Sequence, residues 1–325
     1  MRTSAFTSSQ PRHITRRCQS TALNFTPITE ADIPVINRLI QDSTSRTCDY
    51  TIGGILMWVD YFAYQYCVLD DTLFIKGRAE ADRGTVAFSL PIGRMHLKQA
   101  VEYILEYCRA EGLRPVFSAI PEDKLDYLLS TLEELNEYGV QVNELTDWAD
   151  YVYDAKALAT LTGKALSKKR NHVNRFIADN PNYVLEPLTA TNIAEVKEFL
   201  ASRPLGEKAD TETAFYELAQ CMQVLRSYNA YPFEGGVLRG EDGRICAFTI
   251  GEIINDTIYL HIEKADHTVA GAGEAINKLF AAEMLLRHPH LRYINREEDA
   301  GDPGLRYAKE SYHPAFLLKK FNVMM

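Results

Sequence analysis

The order of predicted elements constrains this chain more than any single residue does. From Phe25 the apolar periodicity predicts a strand (25–28), two helices (29–41, 52–61), three strands (64–69, 72–76, 85–90) and a long helix (97–111). A strand, a helix and a strand follow (115–119, 122–135, 140–145). From Tyr183 the same order returns: a strand (183–188), two helices (192–202, 212–227), three strands (235–239, 244–252, 257–263) and a helix (273–286). It closes with a strand (291–294), a short helix opening at Pro303 and a last strand (315–321). A shared order without shared residues points to an architectural duplication. The expectation is therefore an α+β chain with a tail over 1–24, one domain over 25–150 and a second over 151–325. Each domain would be a mixed, mostly antiparallel sheet flanked by helices. At 325 residues the chain has the length for two domains of roughly 150 each.

The formal net charge of -9 argues against a general nucleic-acid binder, so an anionic partner must be met by a local basic patch. The six cysteines form no Cys-x-x-Cys pair and are read as reduced thiols of a cytoplasmic protein, with no metal site. No apolar run approaches the roughly 18–20 residues of a spanning helix. The first 24 residues are rich in Ser and Thr and hold Arg2, Arg12, Arg16 and Arg17 without an acid. They read as a disordered tail or an over-long start, with an organelle transit peptide as the alternative.

Two stretches carry candidate chemistry. Between the halves, residues 155–178 hold six cations and no acid. On a helix, Lys164, Lys168, Asn171 and Arg175 share one face and Leu166, Val173 and Ile177 the other. This is a cationic ridge, with Arg170 close by, that either binds an anion or is a solvated face. Near the end, the strand over 291–294 delivers Asn295, Arg296, Glu297, Glu298 and Asp299, a polar burst of the kind that marks a site at a sheet edge. Asp302 then caps a short helix with Pro303 at its first position. Leu305, Ala308 and Tyr312 are expected to face the core, leaving Arg306, Lys309 and His313 as a free basic stripe.

Three antiparallel strands followed by βαβ is the order of the GCN5-related N-acetyltransferase fold. In that fold a Gln/Arg-x-x-Gly-x-Gly/Ala turn presents backbone N–H groups to a pyrophosphate at a helix start. Gly271 and Gly273 have that spacing here, with Thr268 where the cation is expected. The alternative is a tight turn of small residues. The fold also suggests Glu263, beside His261 on one strand face, as a general base. The alternative is an ion pair with Lys264 or Arg296. Tyr312 stands where a general acid often lies, and is otherwise a core residue.

Three runs in order carry a closer resemblance. They are Gly163-Lys164 with Lys169-Arg170-Asn171-His172-Val173-Asn174-Arg175, then Gly243 to Thr249, then Gly304-Leu305-Arg306-Tyr307-Ala308-Lys309 with Pro314. They resemble the C-terminal catalytic domain of bacterial phosphatidylglycerol lysyltransferases, and more closely the small stand-alone proteins of that superfamily. The resemblance implies tandem acetyltransferase-like domains and transfer of an aminoacyl group from aminoacyl-tRNA, or of an acyl group from acyl-CoA. Catalysis would fall to Glu263, Arg306, Lys309 and Tyr312 in the second half, and the first half would be structural. Lys164, Lys168, Arg170, Arg175, Gly271, Gly273, Asn295 and Arg296 would bind the donor. Transfer RNA would lie on the ridge, with a small molecule or lipid headgroup as acceptor. The rival class is a non-catalytic module that binds an anion or nucleotide on a degenerate form of the fold.

Overall fold

The computed structural model describes residues 22–79, 84–202 and 212–325, so Cys18 and most of the expected tail lie outside it. The first half comprises β1 (Thr26–Pro27), α1 (Ile33–Ile40), α2 (Ile52–Leu56), β2 (Gln65–Leu69), β3 (Thr72–Arg78), β4 (Val86–Phe88) and β5 (Ile92–Gly93). It continues through α3 (Leu97–Glu111), β6 (Val116–Pro121), α4 (Glu122–Glu134) and β7 (Gln141–Glu144). The second half comprises β8 (Asp150–Asp154), α5 (Ala155–Thr160), α6 (Ser167–Asp179), β9 (Val184–Pro187), α7 (Ile193–Ala201) and α8 (Glu212–Arg226). Then come β10 (Phe233–Arg239), β11 (Ile245–Ile254), β12 (Thr257–Ala265), α9 (Ala272–Arg287), β13 (Tyr293–Asn295), α10 (Pro303–Glu310), β14 (Phe316–Leu318) and β15 (Lys320–Met324).

Two sheets result. One runs β1-β2-β3-β4-β6-β15-β7 with β5 on β3, and the other runs β14-β8-β13-β12-β11-β10-β9. Each has one parallel junction. In the first, β4 meets β6 through the single pair Phe88 and Phe117. In the second, β12 meets β13 from Thr257 and Tyr293 to Tyr259 and Asn295. Beyond these pairs the ladders stop, although β12 continues to Ala265. A parallel pair that parts in this way opens a wedge between strands at their carboxyl ends, where open sheets place ligands.

The expected last strand over 315–321 is two strands in different sheets. β14 pairs with β8 in the second sheet, while β15 is inserted between β6 and β7 of the first. β8, the first strand of the second half, lies between β13 and β14 of the second sheet. We propose a two-unit division near residue 150 in which the first unit is completed by β15, a strand from the end of the second half. A single apolar core supports this joint. It contains Ile52, Phe88 and Phe117 from the first half, Val196, Val237, Phe248 and Ile262 from the second, and Val323 of β15. A smaller core beneath α5, α6 and α9 contains Leu158, Phe176, Ile276 and Phe280.

Candidate active site

At the second wedge, Glu263 lies at the end of β12 and Arg296 just past β13. Arg296 Nη2 donates to Glu263 Oε1 at 2.7 Å, and Asn277 Nδ2 of α9 donates to Glu263 Oε2 at 3.2 Å. The Tyr312 ring lies 4.9 Å from the Arg296 guanidinium and 4.2 Å from the Lys169 ammonium of α6. Tyr153 of β8 meets Tyr312 edge-on at 6.4 Å. Burial raises the Tyr312 hydroxyl well above the ordinary phenol range, more than the Arg296 charge lowers it. The phenol therefore stays protonated. Burial would lower the Arg296 pKa, but the adjacent Glu263 charge raises it overall. The amide of Asn277 must turn its nitrogen to the carboxylate, because a carboxylate only accepts. Two polar atoms then remain buried without a partner, Arg296 Nη1 and Asn277 Oδ1. An unsatisfied buried group costs about 1–3 kcal/mol, and in a native site it calls for an explanation such as a missing ligand.

The polar burst is held from several sides. Asn295 is buried and donates to the Arg46 carbonyl and to Asp150 Oδ2, each at 2.8 Å. It was expected to bind the donor. Both donor hydrogens of its amide are instead used in fixing the run. On α10 the expected face is reversed at Leu305, Ala308 and Lys309, while Tyr312 is buried and His313 exposed as expected. Leu305 is 42% exposed and Tyr307 68% exposed, whereas Lys309 is buried. The Lys309 ammonium donates to the carbonyls of Arg296, at 2.6 Å, and of Glu298. Arg306 is bound to Asp299 at 2.7 and 2.8 Å and to Asp147 of the first half at 2.7 Å. The free basic stripe is thus corrected: Lys309 and Arg306 are committed to the loop that carries Arg296, which makes them positioning residues. A spacing argument could not show this, because a lysine becomes a core residue when main-chain carbonyls converge on its ammonium.

Lys164, Lys168, Asn171 and Arg175 have the predicted exposure, but α6 begins at Ser167, so Lys164 lies in the turn before the helix and not on its face. Arg175 has a partner, Asp179, one helical turn on at 3.7 Å. Arg170 leaves the ridge, since its guanidinium donates back to the carbonyls of Leu161 and Gly163. The other side of α6 crosses the start of α9. There Glu274 lies 3.5 Å from both Lys169 and His172. Gly271 has φ +78°, and a Cβ on it would lie 2.2 Å from the His172 carbonyl oxygen. Gly271 therefore serves a helix crossing, whereas a side-chain atom at Gly273 would meet only Ala265 at 3.7 Å. Thr268 folds onto Asp266, with its hydroxyl 2.5 Å away. α6 thus approaches one side of the expected pyrophosphate turn at Gly271, while Thr268 is exposed and Gly273 half-buried.

His261 has a different place from the one beside Glu263. Register slips where Ile250 pairs with Ile262 but Gly251 with Leu260, so His261 is the extra residue of a bulge. Its ring lies between Glu252, at 3.2 Å, and Glu297, at 2.7 Å. Burial alone would lower its pKa, but the two hydrogen-bonded carboxylates raise it to about 9. Glu252 also accepts the N–H groups of Ile52 and Gly53 at the start of α2, each at 3.0 Å. This bracket joins the two halves. So does Lys320, buried at the start of β15, 2.7 Å from Asp49 and from Asp150 and 3.7 Å from Glu298. Cys48, Asp150 and Glu298 have the spacing of metal ligands. The Lys320 ammonium lies 3.4 Å from Cys48 Sγ and supplies the cation of that group. The five described cysteines are all buried and none is in a disulfide.

A wedge between a parallel strand pair, crossed by a helix start and edged by a polar loop, defines the class of tandem acetyltransferase-like proteins, and this chain has that fold. More particularly, residues 40–324 match the family described as phosphatidylglycerol lysyltransferase, C-terminal, and the chain belongs to that family. A conserved protein of unknown function from Bacteroides thetaiotaomicron is 32% identical, with a TM-score of 0.84 over 93% of this chain and 99% of that one. The L-PGS structure from Bacillus licheniformis is 14% identical and shares the fold at a TM-score of 0.58, over 84% of this chain and 91% of that one. An uncharacterised protein of Mycoplasmoides gallisepticum is 24% identical over 243 residues, which are 67% of this chain and 77% of that protein. Family membership supports a transferase activity of the acyl or aminoacyl kind. Among the described residues, no helix is long and apolar enough to cross a membrane.

Proposed function

We propose that this chain transfers an aminoacyl group from aminoacyl-tRNA at the second wedge. The observation that carries the reading is the pair of unpartnered buried atoms on either side of Glu263, a donor on Arg296 and an acceptor on Asn277. An aminoacyl ester offers their complements on adjacent atoms, a carbonyl oxygen for Arg296 and an α-ammonium for Asn277 and Glu263. Arg296 then stabilises the oxyanion as a nucleophile of the acceptor adds to the carbonyl carbon. The bond to the 3′ oxygen of the tRNA breaks, and the Tyr312 phenol protonates that oxygen. The proton lost by the nucleophile restores the phenol. In this reading Glu263 holds the ammonium and is not a general base, because Arg296 and Asn277 occupy its two oxygens. Phosphates of the tRNA lie on Lys164, Lys168 and Arg175.

The α6 crossing favours this donor over acyl-CoA. It packs the His172 carbonyl against Gly271 and sets Glu274 in the first turn of α9, where a pyrophosphate would need an open positive end. The family's description names phosphatidylglycerol as an acceptor, and a hydroxyl-bearing headgroup is the acceptor class this reading carries over.

Filter binding of bulk aminoacylated tRNA across a salt series tests the donor. We expect affinity to fall steeply with salt, with a slope that drops by roughly 1–2 when Lys168→Glu and Arg175→Glu are combined. Absence of tRNA binding at low salt, together with acetyl-CoA binding at Gly271 and Gly273, overturns the reading.

A further inference from the structure

The first wedge contains a cavity of about 80 Å³, between β4 and β6. Its walls are mostly apolar and include Ile55, Phe62, Ile75, Phe88 and Trp148. Several polar groups break that lining. The Ser89 hydroxyl is buried and has no partner. Asp49 and Lys320 form the charged end, ion-paired at 2.7 Å. Lys320 also faces Asp150 and Glu298, so one ammonium is set among three carboxylates. Such an arrangement has room for a second positive charge and repels an anion. Arg78, exposed, is the other charged residue on the lining.

We propose that this wedge is a binding site for a short primary monoamine. Its ammonium donates to Ser89 Oγ and to the Asp49 carboxylate, and its apolar chain lies between Phe62, Phe88 and Trp148. Size sets the chain length. The cavity is about half the volume of the ~150 Å³ apolar cavity that accepts benzene, which suits three or four carbons. Charge sets the head group, because a carboxylate would add a fourth negative charge beside Asp49. Arg78 sets the other end, because a diamine would bring a second cation beside its guanidinium. Lys320 connects this site to Glu298, two residues from Arg296, so occupancy can be felt at the second wedge. The proposal does not depend on the aminoacyl-tRNA reading.

The test is a methyl NMR titration of the full chain with n-butylammonium, at constant ionic strength. Butan-1-ol, butyrate and 1,4-butanediammonium serve as comparison ligands. We expect saturable shifts of the Ile55 and Ile75 methyls that exceed any at Ile276, with n-butylammonium binding at least roughly tenfold tighter than the other three, in line with a charge-assisted hydrogen bond. Ser89→Ala should weaken binding roughly three- to tenfold, the size of one hydrogen bond. Ala87→Leu, which fills the cavity, should abolish it. If Ala87→Leu does not fold, the wild-type methyl map and Ser89→Ala decide. No saturable shift, equal binding of butan-1-ol or butyrate, or unaltered binding in Ser89→Ala overturns the proposal.

Discussion

The two wedges of this molecule have the same topology and opposite chemistry. At β12 and β13 the space between parted strands is filled by Arg296, Glu263 and the Tyr312 ring, with two unpartnered polar atoms. At β4 and β6 it is a mostly apolar cavity with Asp49 and Lys320 at one end and Arg78 at the other. The strand order alone therefore specifies only where a wedge opens. What it can hold depends on the residues that follow the parallel strand. After β13 these are Arg296 to Asp299, and after β6 they are Glu122 and α4, with Ser118 and Ala119 facing the cavity. The comparison also shows that the wedges are not independent. Lys320, at the end of the first, touches Glu298, beside the second, and β15, the second-half strand inserted in the first sheet, carries the link.

The largest effect on this joint should come from Lys320→Met. It leaves the buried Asp150 and the half-buried Asp49 without their cation, a loss of about 3–5 kcal/mol by the usual cost of orphaning a buried pair. Urea unfolding measures it, and a loss below about 1 kcal/mol would mean that the halves are joined by apolar packing alone. A similar but pH-dependent loss is expected at His261. Its folded pKa of about 9 lies above the ordinary 6.5, so its stabilisation is complete below about pH 6.5 and disappears as pH rises through 9. The full span is on the order of 2–4 kcal/mol. His261→Asn should flatten the fall in stability between those pH values, and an unchanged profile would remove His261 from the joint.

Gly53→Ala should cost about 1–3 kcal/mol, the usual range for overpacking. A Cβ there would lie 2.3 Å from the His261 ring. Paired Gly53→Ala and His261→Ala variants measure the coupling, and additive losses would contradict the contact. The smallest effect is expected outside both wedges. Lys168→Glu with Arg175→Glu alters exposed positions and should change stability by no more than ~0.5 kcal/mol while reducing tRNA affinity. A large stability loss would mean that the ridge has a structural role.

Much of the fold was legible in the sequence. Leu97 to Glu111 is a helix with the expected residues, and Gly112 ends it with φ 68°. That helix is amphipathic over four turns, so the periodicity is unambiguous. The insertion of β15 was not legible. Residues 315–321 read as one strand, and only tertiary pairing shows that Leu318 and Lys320 belong to different sheets. The short strand β8 was missed because four of its five residues are buried, which removes the alternation. Of the candidate site, Glu263, Arg296 and Tyr312 come together as a cluster. Lys309, Arg306 and Asn295 turn inward to support it, because polar spacing cannot distinguish a ligand-facing side chain from one that holds a loop. Asn277 was not anticipated. A polar residue in the otherwise apolar helix face of Ala275, Ile276, Phe280 and Ala281 was the available signal.

The central claim is that the second wedge reads an aminoacyl ester through Arg296, Asn277 and Glu263. Its most direct test compares bulk tRNA carrying a hydrolysis-resistant 3′ aminoacyl amide with the same tRNA uncharged, at one salt concentration. The account predicts that wild type prefers the charged form by at least roughly tenfold, the size of one charge-assisted hydrogen bond. Arg296→Lys and Asn277→Leu should each bring the two affinities together while the ridge still binds both. Equal affinity of wild type for charged and uncharged tRNA, or a preference that persists in both variants, would contradict it.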